Sequence, residues 1–406
     1  MLSELDARTD LTAPERPFDP QQHALFVSGQ RCYLAQHPHH RFTSPIDNHE
    51  TLVNTLETEL AKCPSEDAVV FGILPFCKSE QAQFLVSDHV QTLDKSHFTA
   101  YLASQNKLEG TRFPELDDVH HRQSQAHYEQ AIVRAKTLFE RDELEKIVLG
   151  KQVDLYFDDA LPKGQVLTNL LHQSSSGFPF SFPTESGTTL LGVSPELLLK
   201  KSHRAIFSNP LAGSAKRTSD SAMDVQRQRT LMNSKKDRFE HAVVLVEMSQ
   251  VLEPWCHQLH IPSVPSLLST ATMWHLSTEV EGQLHTPATH VLALANRLHP
   301  TPALCGKPTQ HAYPWIKVLE GESRHFFSGI VGWCDKHGNG EWVVVIRSGE
   351  INGRHARLFA GAGIVHASNP TAEWLETEAK LSTMLNALHA TTAYRQFTQE
   401  SLLETA

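Results

Sequence analysis

The sequence predicts an α+β fold dominated by antiparallel strands, and three observations carry that expectation. The turns Asp335-Lys336-His337-Gly338-Asn339-Gly340 and Asn352-Gly353 separate apolar or β-branched runs. Asn-Gly suits a hairpin because a type I′ turn needs positive φ at both central positions. The flanking runs follow one another as a meander and not as βαβ units. Elsewhere the apolar spacing is helical, as at Ala131, Ile132, Ala135, Leu138 and Phe139.

Taken in order, residues 1 to about 115 are mixed in pattern, with one clear strand over Ala68 to Leu74, ended by Pro75. A helix is expected from about Gln123 to Arg141, and Lys146-Ile147-Val148-Leu149 then reads as a strand. The middle reads as paired strands over Thr188 to Leu191, Glu196 to Lys200 and Ala205 to Phe207, followed by one long helix from about Asn233 to Leu252. Ile330 to Cys334, Trp342 to Ser348 and Ala356 to Ala360 form the meander. The last helix starts at Pro370, whose missing N–H costs nothing at the first helical position, with Asn369 as N-cap, and runs through Leu388. No Gly/Ser/Pro-rich linker, repeat or low-complexity tract intervenes, so one continuous domain is expected.

Composition narrows the function. The chain has 406 residues, with 36 Lys+Arg against 46 Asp+Glu and a formal charge of −10. Without a basic run it lacks the footprint of phosphate-backbone binding, so no nucleic-acid partner is expected. No stretch approaches the roughly 20 apolar residues of a membrane span, and the N-terminal MLSELDARTDLTAPERP carries acids where a signal peptide needs a basic then apolar run. A cytoplasmic protein without a membrane partner is the expectation. Cys32, Cys63, Cys77, Cys256, Cys305 and Cys334 stand singly, which predicts reduced, mostly buried thiols and no zinc or disulfide framework. The 25 histidines, among them His37, His39, His40 and His120-His121, show no H-E-x-x-H and are expected at the surface.

Some charged residues recur at telling spacings. Glu373, Glu376 and Lys380 fall within about 60° of one another on the last helix. A solvated face with an i,i+4 ion pair has the same spacing. Glu240 and Glu247 share a face of the earlier helix, and carboxylates from two helices would suit Mg²⁺, which keeps positions open for water and an anionic ligand. Gly361-Ala362-Gly363 follows a strand and would let backbone N–H groups approach an anion, but lacks G-x-G-x-x-G spacing. Arg347 ends a strand, Lys146 begins one, and Glu196 sits beside Leu197-Leu198-Leu199. Each is either a surface residue or a group presented by a rigid sheet.

Taken together, several segments resemble those of the chorismate-utilising enzymes, most closely isochorismate synthases of the catechol-siderophore type. They are Glu145 to Leu149, Gly192 to Leu198, Asn209 to Ser214, Leu298 to Gly306, Gly329 to Trp333, Ile346-Arg347, Phe359 to Val365 and Glu373 to Lys380. The resemblance makes residues 116–392 the chorismate-binding catalytic core and 1–115 the N-terminal part of the same fold. It implies two large antiparallel sheets packed face to face with helices outside, a Mg²⁺ cofactor, and chorismate as substrate. Water would add at C2 as the 4-hydroxyl departs, and the product isochorismate would pass to an isochorismatase. A monomer is implied.

Residue by residue, Lys146 matches the general base and Glu196 the acid. A lysine base has to titrate near roughly 7–8, and the acid must rise by about 2 units to stay protonated; burial pushes both that way. Glu240 and Glu376 match the Mg²⁺ carboxylates, with Glu373 in support. Arg347 and Lys380 match carboxylate-binding positions, Gly213, Gly361 and Gly363 the loops that close on substrate, and Ser214 and His275 further pocket positions. Salicylate synthases of this family tend to carry hydroxyls where this chain has Ala303 and Phe327; with Leu304 these form an apolar wall consistent with stopping at isochorismate. Salicylate synthase, a menaquinone-pathway isochorismate synthase and an inactive chorismate-binding subunit are the alternatives.

Overall fold

The computed structural model describes residues 13–109, 112–174 and 176–404, so the N-terminal segment 1–12 lies outside the described residues. Two large sheets hold most strands, and their pairings are antiparallel throughout. The ten-stranded sheet runs from Gly306–Lys307 through Lys146–Phe157, His355–Ile364, Ser348–Asn352, Thr189–Ser194, Phe178–Pro183, Ala24–Ser28 and Arg31–Ala35 to Gln91–Asp94, with Leu116–His121 paired off this path. The nine-stranded sheet runs from Cys256–His260 through Val280–Leu284, Ala205–Asn209, Leu197–Ser202, Gly340–Val344, Ile330–Asp335, Val69–Leu74 and Gln81–Ser87 to Pro38–Pro45. A small third sheet joins Leu211–Lys216, Met273–Ser277 and Ser266–Ser269.

Period-2 alternation explains how the layers assemble. On the strand Val69–Leu74, Val69, Phe71 and Ile73 enter a core shared with Phe26, Phe180 and Leu190 of the other sheet, which is the seam between the two. Val70 and Leu74 point the opposite way, into a core with Leu52, Leu56, Val244 and Leu292 from the outer helices. The strand is therefore buried on both faces and reads as an unbroken apolar run. Leu25, Val27, Leu155 and Leu358 pack similarly on Leu167, Leu170, Leu381 and Leu385 outside the ten-stranded sheet. Among the described residues no helix is long and apolar enough to cross a membrane.

The predicted helix over 233–252 is Lys235–Leu252, capped by Ser234, whose hydroxyl accepts from the Asp237 N–H; a separate helix, Ser221–Asn233, precedes it. Three local expectations change. Thr189–Ser194 does not pair with Leu197–Ser202: the chain leaves one large sheet and enters the other across Pro195-Glu196. The same happens within the predicted strand Trp342 to Ser348, where Gly340–Val344 belongs to one sheet and Ser348–Asn352 to the other. Arg347, at φ +53°, makes the bend. Finally, His241, His275, His290 and His299 are buried, because they sit on helix, strand or loop positions covered by the layers.

Candidate active site

The two crossings lie side by side. The Val193 N–H donates to Arg347 O at 3.2 Å, and the Val344 N–H to Glu196 O at 3.2 Å. Leaving a sheet frees backbone and side chains from the ladder, so a cleft of about 610 Å³, its open mouth included, forms here. Lining it are Glu196, Gly213, Ser214, Glu240, His275, Ala303, Leu304, Phe327, Arg347, Gly361, Gly363, Glu376 and Lys380. Lys146 and Glu373 stand immediately behind: Lys146 Nζ lies 3.0 Å from Glu240 Oε1, and Glu373 is the neighbour that repels Glu376. Val148, Pro195, Leu211, Ala212, Ser328 and Ile346 complete the lining; Ser328, at φ +61°, belongs to no motif that the sequence singled out. Glu247 is outside the cleft and accepts from Thr309.

The glycines lie in strands, not in closing loops. Gly213, at φ +80°, occupies a register break between Leu211 and Ser214, a bulge that aims Ser214 Oγ at Glu376 Oε1, 2.9 Å away. Gly361 and Gly363 are within His355–Ile364, and a Cβ on Gly363 would stand 2.2 Å from Glu240 Oε1. Only glycine lets that carboxylate lie against the strand.

Electrostatics give each group a different state. Burial pushes the Glu196 carboxyl up to about 7, against the opposing pull of a Leu211 backbone hydrogen bond, Lys146, Arg347 and Lys380. Burial lowers Arg347 to about 10, which leaves it charged at neutral pH; its Nε is buried without a hydrogen-bond partner. His275 falls well below its ordinary value through burial and the nearby Arg347 and Lys380, so its ring is neutral, with Nε2 unpartnered. The side chain of Lys146 is fully buried, and its contact with Glu240 is a charge pair not aligned as a hydrogen bond.

Four carboxyl groups, Glu240, Glu373, Glu376 and Asp237, lie near one another beside these cations. Burial opposes charge on Glu376, but Lys380 at 2.6 Å, Lys236 and Ser214 hold it below the usual range. Glu373 is raised by burial and by repulsion from Glu376, and Lys236 lies 2.6 Å from it. Glu240 and Glu376 add to the burial that raises Asp237. This set offers oxygen donors crowded by mutual repulsion, and such a set fits a hard divalent cation such as Mg²⁺.

A buried ion pair braces the back wall. Arg324 and Glu320 pair through two Nε contacts of 3.1 and 2.9 Å, and Arg324 donates to Leu304 O and Val148 O, both at 2.8 Å. Glu320 Oε1 accepts from the Gly150 N–H at 2.6 Å. Arg324→Ala would leave the buried Glu320 carboxylate without its countercharge, so a stability loss of about 3–5 kcal/mol is expected. Urea unfolding of the variant checks it.

The chain matches the family model described as "Chorismate binding enzyme" over residues 66–389. It is 38% identical to isochorismate synthase EntC of Escherichia coli K12 over 375 residues, covering 89% of this chain and 93% of that protein. It is 36% identical to the vibriobactin-specific isochorismate synthase of Vibrio cholerae over 369 residues, covering 89% and 90%. The crystal structure described as that of the 2,3-dihydroxybenzoate-specific isochorismate synthase DhbC of Bacillus anthracis superposes with a TM-score of 0.83 at 33% identity, covering 92% of this chain and 97% of that one.

Proposed function

Because this chain belongs to the family of chorismate-binding enzymes, we propose that its cleft isomerises chorismate to isochorismate. The observation that carries the reading is Glu196: a carboxyl that titrates at about 7, in a cleft otherwise lined by cations and anions, is an acid that still holds its proton near neutrality. Lys146 is the base that takes a proton from the water that attacks C2. Glu196 gives its proton to the 4-hydroxyl, which leaves as water while the ring double bonds shift. One water enters and one departs, so the reaction is a reversible isomerisation.

Chorismate carries two carboxylates, and the cleft offers Arg347 and Lys380 for them. The unpartnered Arg347 Nε is a donor that a bound carboxylate would satisfy. Glu240 and Glu376, supported by Glu373, would hold Mg²⁺, which when bound supplies positive charge against the ring carboxylate. Ala303, Leu304 and Phe327 place no hydroxyl on their part of the wall. That supports a reaction that stops at isochorismate and does not eliminate pyruvate. We read it as a monomeric cytoplasmic enzyme feeding an isochorismatase of catechol-siderophore synthesis. The names of the relatives from Vibrio cholerae and Bacillus anthracis support that pathway over the menaquinone one.

Incubation with chorismate, followed by chromatography, tests the reading. Isochorismate is expected with Mg²⁺ present, and its formation should stop with a chelator and resume on adding Mg²⁺ back. Salicylate with pyruvate would instead identify a salicylate synthase, and unconsumed chorismate would refute catalysis.

A further inference from the structure

Far from the cleft in sequence and role, the fold gathers six metal-ligating side chains. His37 and His39 flank Pro38 at the start of the strand Pro38–Pro45, Cys63 follows the helix His49–Ala61, and Asp88 and His89 follow the strand Gln81–Ser87. Glu15 comes from the segment preceding the first strand. The donor atoms form two triads, His39 with Cys63 and Asp88, and Glu15 with His37 and His89, each with all donors within 4.8 Å of one another.

Two edges of each triad are close to the spacing of ligands around one ion. Cys63 Sγ lies 3.2 Å and His39 Nδ1 3.3 Å from Asp88 Oδ1. Glu15 Oε2 lies 3.3 Å from His37 Nε2 and 3.5 Å from His89 Nε2. Tetrahedral zinc with bonds of about 2.0–2.3 Å sets its ligand atoms roughly 3.3–3.7 Å apart. The backbone that presents them is itself pinned: the Asp88 N–H donates to His37 O, and the Ser87 hydroxyl lies 3.1 Å from His37 O and 2.8 Å from His89 O. Cys63 is 1% exposed, with its thiol directed at Asp88.

We propose that this corner of the nine-stranded sheet binds two divalent ions of the zinc class, one held by His39, Cys63 and Asp88 and the other by Glu15, His37 and His89. Imidazole and thiolate donors select such ions over Mg²⁺, which takes oxygen. Three protein ligands per ion leave a position for water. The ions tie together four segments of the N-terminal part, so Zn²⁺ should raise the thermal midpoint by mass action.

Co²⁺ is the probe, because a cobalt–thiolate bond gives a near-ultraviolet charge-transfer band. Wild-type protein is expected to bind two Co²⁺ in equilibrium dialysis and to show the band. Cys63→Ser should abolish the band and one equivalent; Asp88→Asn, a solvent-facing change, should do the same if Cys63→Ser folds poorly. The double variant His37→Ala/His89→Ala should lose the other equivalent and keep the band. Isomerisation in Mg²⁺ should be unchanged in Asp88→Asn. Absence of the band, its survival in both Cys63→Ser and Asp88→Asn, or a stoichiometry that no variant lowers would overturn the proposal.

Discussion

Lys146→Ala is expected to lower kcat by about 10²–10⁴-fold, the usual worth of a positioned general base, while chorismate still binds. The side chain is fully buried at the start of the strand Lys146–Phe157, so its amine has no route to function except through the cleft. Its neighbour Glu240 is itself only 10% exposed in its side chain and would lose its compensating charge. Removing one partner of such a pair costs about 3–5 kcal/mol, which separates two effects that must be told apart. Lys146→Gln keeps most of the volume and should fold better while remaining inactive. Calorimetric chorismate binding beside steady-state kcat checks the pair of variants; a kcat within tenfold of wild type in a folded Lys146→Gln protein would remove Lys146 from the chemistry.

The site was legible from the sequence to an uneven degree, for physical reasons. Glu373, Glu376 and Lys380 were visible because helical spacing is local, and the helix Pro370–Ala387 starts at its Asn369 cap as the sequence predicts. Spacing alone left that trio indistinguishable from a solvated face; the order of family motifs decided between the readings. The crossings at Glu196 and Arg347 were not legible, since a strand's pattern records alternation and not which sheet it joins. The predicted strand Trp342 to Ser348 is continuous in composition, and its break depends on a positive φ at an arginine, which no local rule selects. Burial of His275 follows from the packing of its strand, the middle one of the third sheet, against the cleft, a tertiary fact. The triads of Glu15, His37 and His89 and of His39, Cys63 and Asp88 were invisible for the same reason. Their ligands come from segments that meet only when Pro38–Pro45 pairs with Gln81–Ser87, so a rule built on close Cys and His spacing passes over them.

Glu196→Gln is expected to remove both the proton that the leaving hydroxyl needs and a pH dependence of stability, and the second effect identifies the first. In the fold, burial raises the carboxyl from 4.5 to about 7; unfolded, it returns to the lower value. Between these values folding takes up a proton. The group therefore contributes stability that is present in full below the unfolded value and is lost as pH rises through about 7. Glutamine carries no such proton, so the variant should gain stability relative to wild type on going from about pH 5 to about pH 8, read from urea unfolding at each pH. Its kcat should fall by about 10²–10⁴-fold across the range. Wild-type turnover should decline above about pH 7 as the acid ionises, with the limb absent from the residual activity of the variant. A stability difference between the two proteins that does not change with pH would show that Glu196 is ionised in the fold, and a carboxylate already ionised has no proton to give.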